Sequence, residues 1–118
     1  MLKAEKASKD DIPALISLLD ILFSKEHEFT PDPEKQKTSL EIIISSPDTG
    51  CILIMKDGDN AVGMVSILNS VSTALGAKVG ILEDMILHPD YQRKGYGKQL
   101  IIMHLIMQRK AGLNGLHS

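Results

Sequence analysis

The segment ILEDMILHPDYQRKGYGKQLI, residues Ile81 to Ile101, decides the fold. Residues Val79 to Leu87 are apolar except for Gly80, Glu83 and Asp84, and Pro89 stops them, so they read as a strand. From about Gly95 or Gly97 to Lys110 the pattern becomes helical. Leu100, Ile101, Ile102, Met103, Leu105, Ile106 and Met107 make that helix apolar on nearly every side, which predicts deep burial. Arg109 and Lys110 suit its last turn, and Gly112 suits the position just beyond it. Between strand and helix stand Gln92, Arg93, Lys94 and two glycines. Such a junction leaves backbone N–H groups free at a helix N-terminus, where the macrodipole favours negative charge. Gly95 and Gly97 let the backbone come close to a phosphate, and Arg93, Lys94 and Lys98 add positive charge. The chemistry points to a phosphate or pyrophosphate.

The rest of the chain bounds what surrounds that loop. Its 118 residues predict one domain spanning 1–118, and a 43% hydrophobic content supplies a core. The core material is aliphatic, with no Trp, two Phe and two Tyr. Cys51 is the only cysteine, so no disulfide can form within the chain, and a reducing cytoplasm is expected. The opening MLKAEKASKD has no apolar stretch of signal-peptide type, and no apolar run approaches the ~18 residues that cross a bilayer. Residues 1–60 carry twelve acids and seven bases, whereas residues 61–118 carry three acids and six bases. The basic half suits an anion but is too weakly charged and too poor in aromatics for nucleic acid. Neither nucleic acid nor a membrane is therefore expected as a partner.

Upstream, Leu2 to Ala7 alternate as a first strand. Ser8 or Asp10 can cap a helix carrying Ile12, Leu15, Ile16, Leu19, Leu22 and Phe23, with Pro13 near its start. The polar stretch SKEHEFTPDP leads to a second helix from Pro33 or Glu34 to about Ser46. Residues 51–56 and 61–71 read as a hairpin around Asp57-Gly58-Asp59-Asn60. LNGLHS, at residues 113–118, could open one more strand.

Three phosphate-binding patterns can be compared with the loop. A P-loop requires a glycine where Gln92 stands and Ser or Thr where Gln99 stands. A dinucleotide loop requires a third glycine, or alanine, where Leu100 stands. The pattern Q/R-x-x-G-x-G/A fits Gln92-Arg93-Lys94-Gly95-Tyr96-Gly97 at every fixed position. With Ile81–Ile101 and the upstream order of strand, two helices and hairpin, the chain resembles the GNAT superfamily of N-acetyltransferases. FTPDPEKQ, at 29–36, is similar to a stretch in one group of bacterial members. The resemblance implies an α/β fold with a mixed, mostly antiparallel sheet flanked by helices. It implies acetyl-CoA as co-substrate, with no metal, and an amine acceptor on a small molecule or peptide.

By the same resemblance, Gln92, Arg93, Lys94, Gly95, Tyr96, Gly97 and Lys98 would form the pyrophosphate loop. The strand end at Met85, Ile86 and Leu87 would pair through its backbone with the pantetheine arm. Attack by an amine needs its neutral form, so a carboxylate must accept a proton directly or through water. Glu83 and Asp84 are the candidates. Adjacent strand residues face opposite ways, so only one can serve unless a bulge intervenes. Glu83 is preferred and Asp84 stays open. His88 is a further candidate base, although a solvated residue before a proline turn explains it as well. His27 between Glu26 and Glu28, with Asp32 and Glu34, could attract a cationic amine or simply be a solvated loop. Cys51, Tyr96, Met103 and Met107 read as packing residues. GNAT members continue with a further strand, a helix supplying a Tyr that protonates the leaving thiolate, and a closing hairpin. No Tyr follows Tyr96, which implies a C-terminally incomplete domain. The alternative function is then a CoA-binding fragment without turnover, or an interaction module, and the exposed strand edge predicts association, as a homo-oligomer or by domain swap.

Overall fold

The computed structural model describes residues 2–23, 32–102 and 116–117. Strand β1 (Leu2–Lys6) is followed by helix α1 (Ile12–Phe23) and helix α2 (Pro33–Ser45). Strands β2 (Gly50–Asp57), β3 (Asn60–Ser72) and β4 (Ala77–Leu87) come next. Residues 96–102 are helical and are called α3; β5 (Leu116–His117) closes the order. The sheet runs β1-β2-β3-β4-β5, antiparallel through β4, with β5 parallel to β4. This is the expected α/β architecture, and within the C-terminal stretch Leu116–His117 do form a strand.

The boundaries follow local chemistry. Residues Lys9–Asp11 make a 3₁₀ turn before α1. The Ser8 N–H donates to Asp11 Oδ2 at 2.9 Å, and the Asp11 N–H donates back to the Ser8 carbonyl at 3.0 Å. Asp32 caps α2 by accepting the Lys35 N–H at 3.3 Å, with Pro33 at the first helical position, where a missing N–H costs nothing.

Strand alternation builds two apolar layers, one on each face of the sheet. Leu15, Leu18 and Leu19 of α1 and Leu40 of α2 cover Ile52, Ile54, Met64 and Ile86. On the other face Leu53, Met55, Val62, Val65 and Ile67 meet Leu100 of α3. Leu100 is fully buried, whereas Ile102 is 45% exposed, so the start of α3 is buried on one side only. The rest of that predicted helix, including Met103 and Met107, lies outside the described residues.

A charged cluster ties β1 and the 3₁₀ turn before α1 to β2. Lys56 Nζ lies 2.8 Å from Asp11 Oδ1 and 3.1 Å from Glu5 Oε1. Burial alone would raise the Asp11 carboxyl, but hydrogen bonds from Lys56 and Ser8 outweigh it and hold the carboxyl below its ordinary value. A carboxylate depressed on folding contributes stability above the unfolded pKa and loses it as pH falls through the folded value. Asp11→Asn should therefore lower Tm by a few degrees at pH 7, with the difference closing below about pH 4. Paired thermal melts across that range check it.

Candidate active site

The centre of the site is a fault in the β3–β4 ladder. Ser66 stands opposite Asp84 and Ile67 opposite Leu82, so Glu83 is an extra residue on β4, a β-bulge. Leu82 and Met85 both pack into the α3-side layer. The two residues between them therefore share the other face, and the alternation that would separate Glu83 from Asp84 is suspended there. Ser66 is 1% exposed. Its Oγ donates to Asp84 Oδ2 at 3.0 Å and accepts the Asp84 N–H at 3.2 Å. The hydroxyl thus replaces the ladder partner that the bulge removes. Asp84 is half-buried and engaged; Glu83 is exposed, and among the described residues nothing hydrogen-bonds to its side chain.

The bulge also decides what the outer edge of β4 presents. The His88 N–H donates to the Val62 carbonyl at 2.8 Å, and the Asp84 N–H points the same way, toward Ser66. Backbone groups alternate along a strand, so Ile86 faces β3 as well, while Met85 and Leu87 turn theirs outward. Of the three residues expected to offer backbone to a ligand, Ile86 is instead bonded inward, its side chain buried under α1 and α2. Among the described residues, β5 pairs only with Gly80 and Ile81, so no described strand covers 82–87. The Leu87 carbonyl accepts Gln92 Nε2 at 2.9 Å, which fixes the strand end to the loop.

The loop continues from there. Residues Pro89–Tyr91 form a 3₁₀ turn capped by His88, whose Nδ1 accepts the Asp90 N–H at 3.3 Å. Arg93 has φ 62° and Gly95 φ 82°, both left-handed, an arrangement that turns successive N–H groups toward one side. The Gln99 N–H donates to the Gly95 carbonyl at 3.2 Å. The N–H groups of Tyr96, Gly97 and Lys98 therefore precede the first intrahelical donor and have no acceptor within the helix. A Cβ on Gly95 would meet nothing within 4 Å, so the backbone there is open to a ligand. A Cβ on Gly97 would lie 3.2 Å from Met85 Sδ, and this absence of a side chain seats α3 on β4. Arg93, Lys94 and Lys98 are exposed. The loop and the open edge of β4 are thus contiguous.

Two residues at the site, Ser66 and Tyr91, had no role in the sequence reading. Ser66 is a polar residue inside an apolar strand, a visible signal that went unused. Tyr91 donates its hydroxyl to Asp57 Oδ2 at 2.6 Å across 34 residues of chain, and no local pattern announces such a pair. Tyr96 packs against the α3-side layer and lies beside Tyr91, with ring centroids 6.1 Å apart. Cys51 is half-buried, and burial pushes its thiol up, which suits a packing role. The His27 stretch lies outside the described residues. Among the described residues no group of three or more His, Cys, Asp or Glu could hold a metal ion. Among them, too, no helix is long and apolar enough to cross a membrane.

The chain matches the model of the acetyltransferase (GNAT) family over residues 12–114. It belongs to that family. No curated protein sequence matches it. Among solved structures, an integron cassette protein from the mobile metagenome of Cole Harbour Salt Marsh superposes with a TM-score of 0.87 at 21% identity. That match covers 96% of this chain and 74% of the other. Aminoglycoside N-acetyltransferase AAC(6')-Iy, solved in complex with CoA, gives a TM-score of 0.84 at 17% identity, over 100% of this chain and 76% of that one. Ribosomal-protein-alanine N-acetyltransferase from Brucella melitensis biovar Abortus 2308 gives 0.77 at 17%, over 98% and 77%. These likenesses establish the GNAT fold for this chain.

Within this GNAT domain Ser66 is the test of the bulge. Ser66→Ala strands a half-buried N–H and a carboxylate, and should cost about 1–3 kcal/mol in urea unfolding. It should also speed hydrogen exchange at the Asp84 amide relative to that of Ile86.

Proposed function

We propose that this GNAT domain transfers the acetyl group of acetyl-CoA to a primary amine of a small molecule or peptide. One observation carries the reading: the outward main chain of Met85 adjoins the loop from Arg93 to Lys98, and Glu83 stands on the same strand two residues away. Acetyl-CoA, when bound, supplies an activated thioester carbonyl.

This chain's residues fit that co-substrate. The N–H groups from Arg93 to Lys98 hold the diphosphate, with Arg93, Lys94 and Lys98 adding charge; backbone donors at a helix start are well suited to phosphate. Gly95 keeps the approach open. Gln92 contributes by pinning Leu87 rather than by touching phosphate, because its side-chain amide is already bonded there. Met85 offers its outward N–H and carbonyl, and Leu87 its N–H, to the pantetheine arm as one strand does to another, the Leu87 carbonyl being taken by Gln92. Ile86 supports that edge from the core.

Glu83 acts as base, removing a proton from the attacking amine directly or through water. Asp84 is the poorer candidate because it already accepts the Ser66 hydroxyl. A positioned base is worth about 10²- to 10⁴-fold in rate. The acceptor classes come from chemistry and from the neighbours: an aminoglycoside in one name, a ribosomal-protein alanine in another. Both present an amine, and this proposal extends to that feature alone.

Thiol release from acetyl-CoA, measured with a panel of amines, tests transfer. Glu83→Gln should lower kcat by about 10²-fold or more. Asp84→Asn, whose amide oxygen can still accept from Ser66, should change kcat by less than about tenfold. The reverse order would make Asp84 the base. Gly95→Asp should weaken CoA binding, and unchanged affinity would place the diphosphate elsewhere.

A further inference from the structure

We infer that Asp57, on the β2–β3 hairpin, is a positioning residue for the diphosphate loop, acting through its hydrogen bond to the Tyr91 hydroxyl. The inference rests on the proposed role of that loop. Tyr91 ends the 3₁₀ turn and immediately precedes Gln92, the first residue of the loop. Its 2.6 Å contact with Asp57 Oδ2 lies in the short range of a hydroxyl donating to a carboxylate, the stronger class of hydrogen bond. The pair titrates accordingly: the Tyr91 hydroxyl holds the Asp57 carboxyl below its ordinary value, and Asp57 pushes the hydroxyl up.

The ring of Tyr91 is held on two further sides. His88 meets it edge-on at 6.3 Å between centroids, and Tyr96 lies tilted at 6.1 Å. Tyr96 is itself a loop residue, so the hydroxyl bond and the ring contact reach the loop from both ends.

What needs holding is the backbone at Arg93. A side-chain-bearing residue at φ 62° is strained, and such a conformation persists only where its surroundings impose it. Gln92 anchors one side through Leu87, and Gly97 seats the other against Met85. Asp57 is the one anchor of these that comes from outside the β4–α3 unit. Without it the loop samples relaxed conformers, and a ligand must bear the cost of ordering it. The effect should therefore fall on the diphosphate and spare the part of the ligand that lies along β4.

The test uses two ligands and the full chain. CoA binding is measured by isothermal titration, and binding of pantetheine, which has no diphosphate, by NMR titration. Tyr91→Phe should raise the CoA Kd about three- to tenfold and leave the pantetheine Kd within about twofold. Asp57→Asn should act in the same direction, and the double variant should be no worse than the poorer single one. Thermal melts confirm that each sample is folded at the temperature of titration. Wild-type CoA affinity in both folded variants, or equal weakening of both ligands, overturns the inference alone. A folded wild-type chain that does not bind CoA overturns it together with the proposed function.

Discussion

One residue too many on β4 sets the geometry of this molecule. Opposite Ser66 and Ile67 the strand supplies Leu82, Glu83 and Asp84 where two residues would match. The insertion lets Leu82 and Met85 both pack beneath α3, and it bends the strand as bulges do. It also separates two uses of one edge. Before the bulge, Gly80 and Ile81 pair with β5; after it, Met85 and Leu87 turn their main chain outward with no described strand beside them. The Ser66 hydroxyl makes the fault tolerable by serving the amide and the carboxylate of Asp84 together.

Much of the architecture was legible because it is written locally. The three- and four-residue spacing of Ile12, Leu15, Ile16 and Leu19 marks α1, and a start at Pro33 or Glu34 places α2 within a residue of where it begins. The hairpin at Asp57–Asn60 and the stop at Pro89 are turn chemistry, which needs no tertiary context. The loop was legible for the same reason, since glycine and cation spacing are properties of neighbours in sequence.

What escaped is set by register and distance. A bulge is a mismatch between two strands, so neither strand shows it alone; the sequence allows one near Glu83 and Asp84 but does not impose it. Ile86 illustrates the cost. It is as apolar as its neighbours, and only the pairing with β3 turns its main chain inward. Asp57 and Tyr91 meet because the hairpin end and the 3₁₀ turn arrive at one place, and nothing near either residue encodes the meeting. Arg93 adds a further lesson, because the left-handed backbone falls on it as well as on the glycine that chemistry would choose.

The seat of α3 on β4 has a consequence for how such a domain can diversify. With a glycine at 97 pressed toward Met85 and Leu87, there is little slack between the helix start and the strand. The start of α3 and the end of β4 are therefore fitted to each other directly, while α1 and α2 reach the strand from its other face, through Ile86. On the proposed reading, a change of acceptor would need no redesign of the end assigned to the donor.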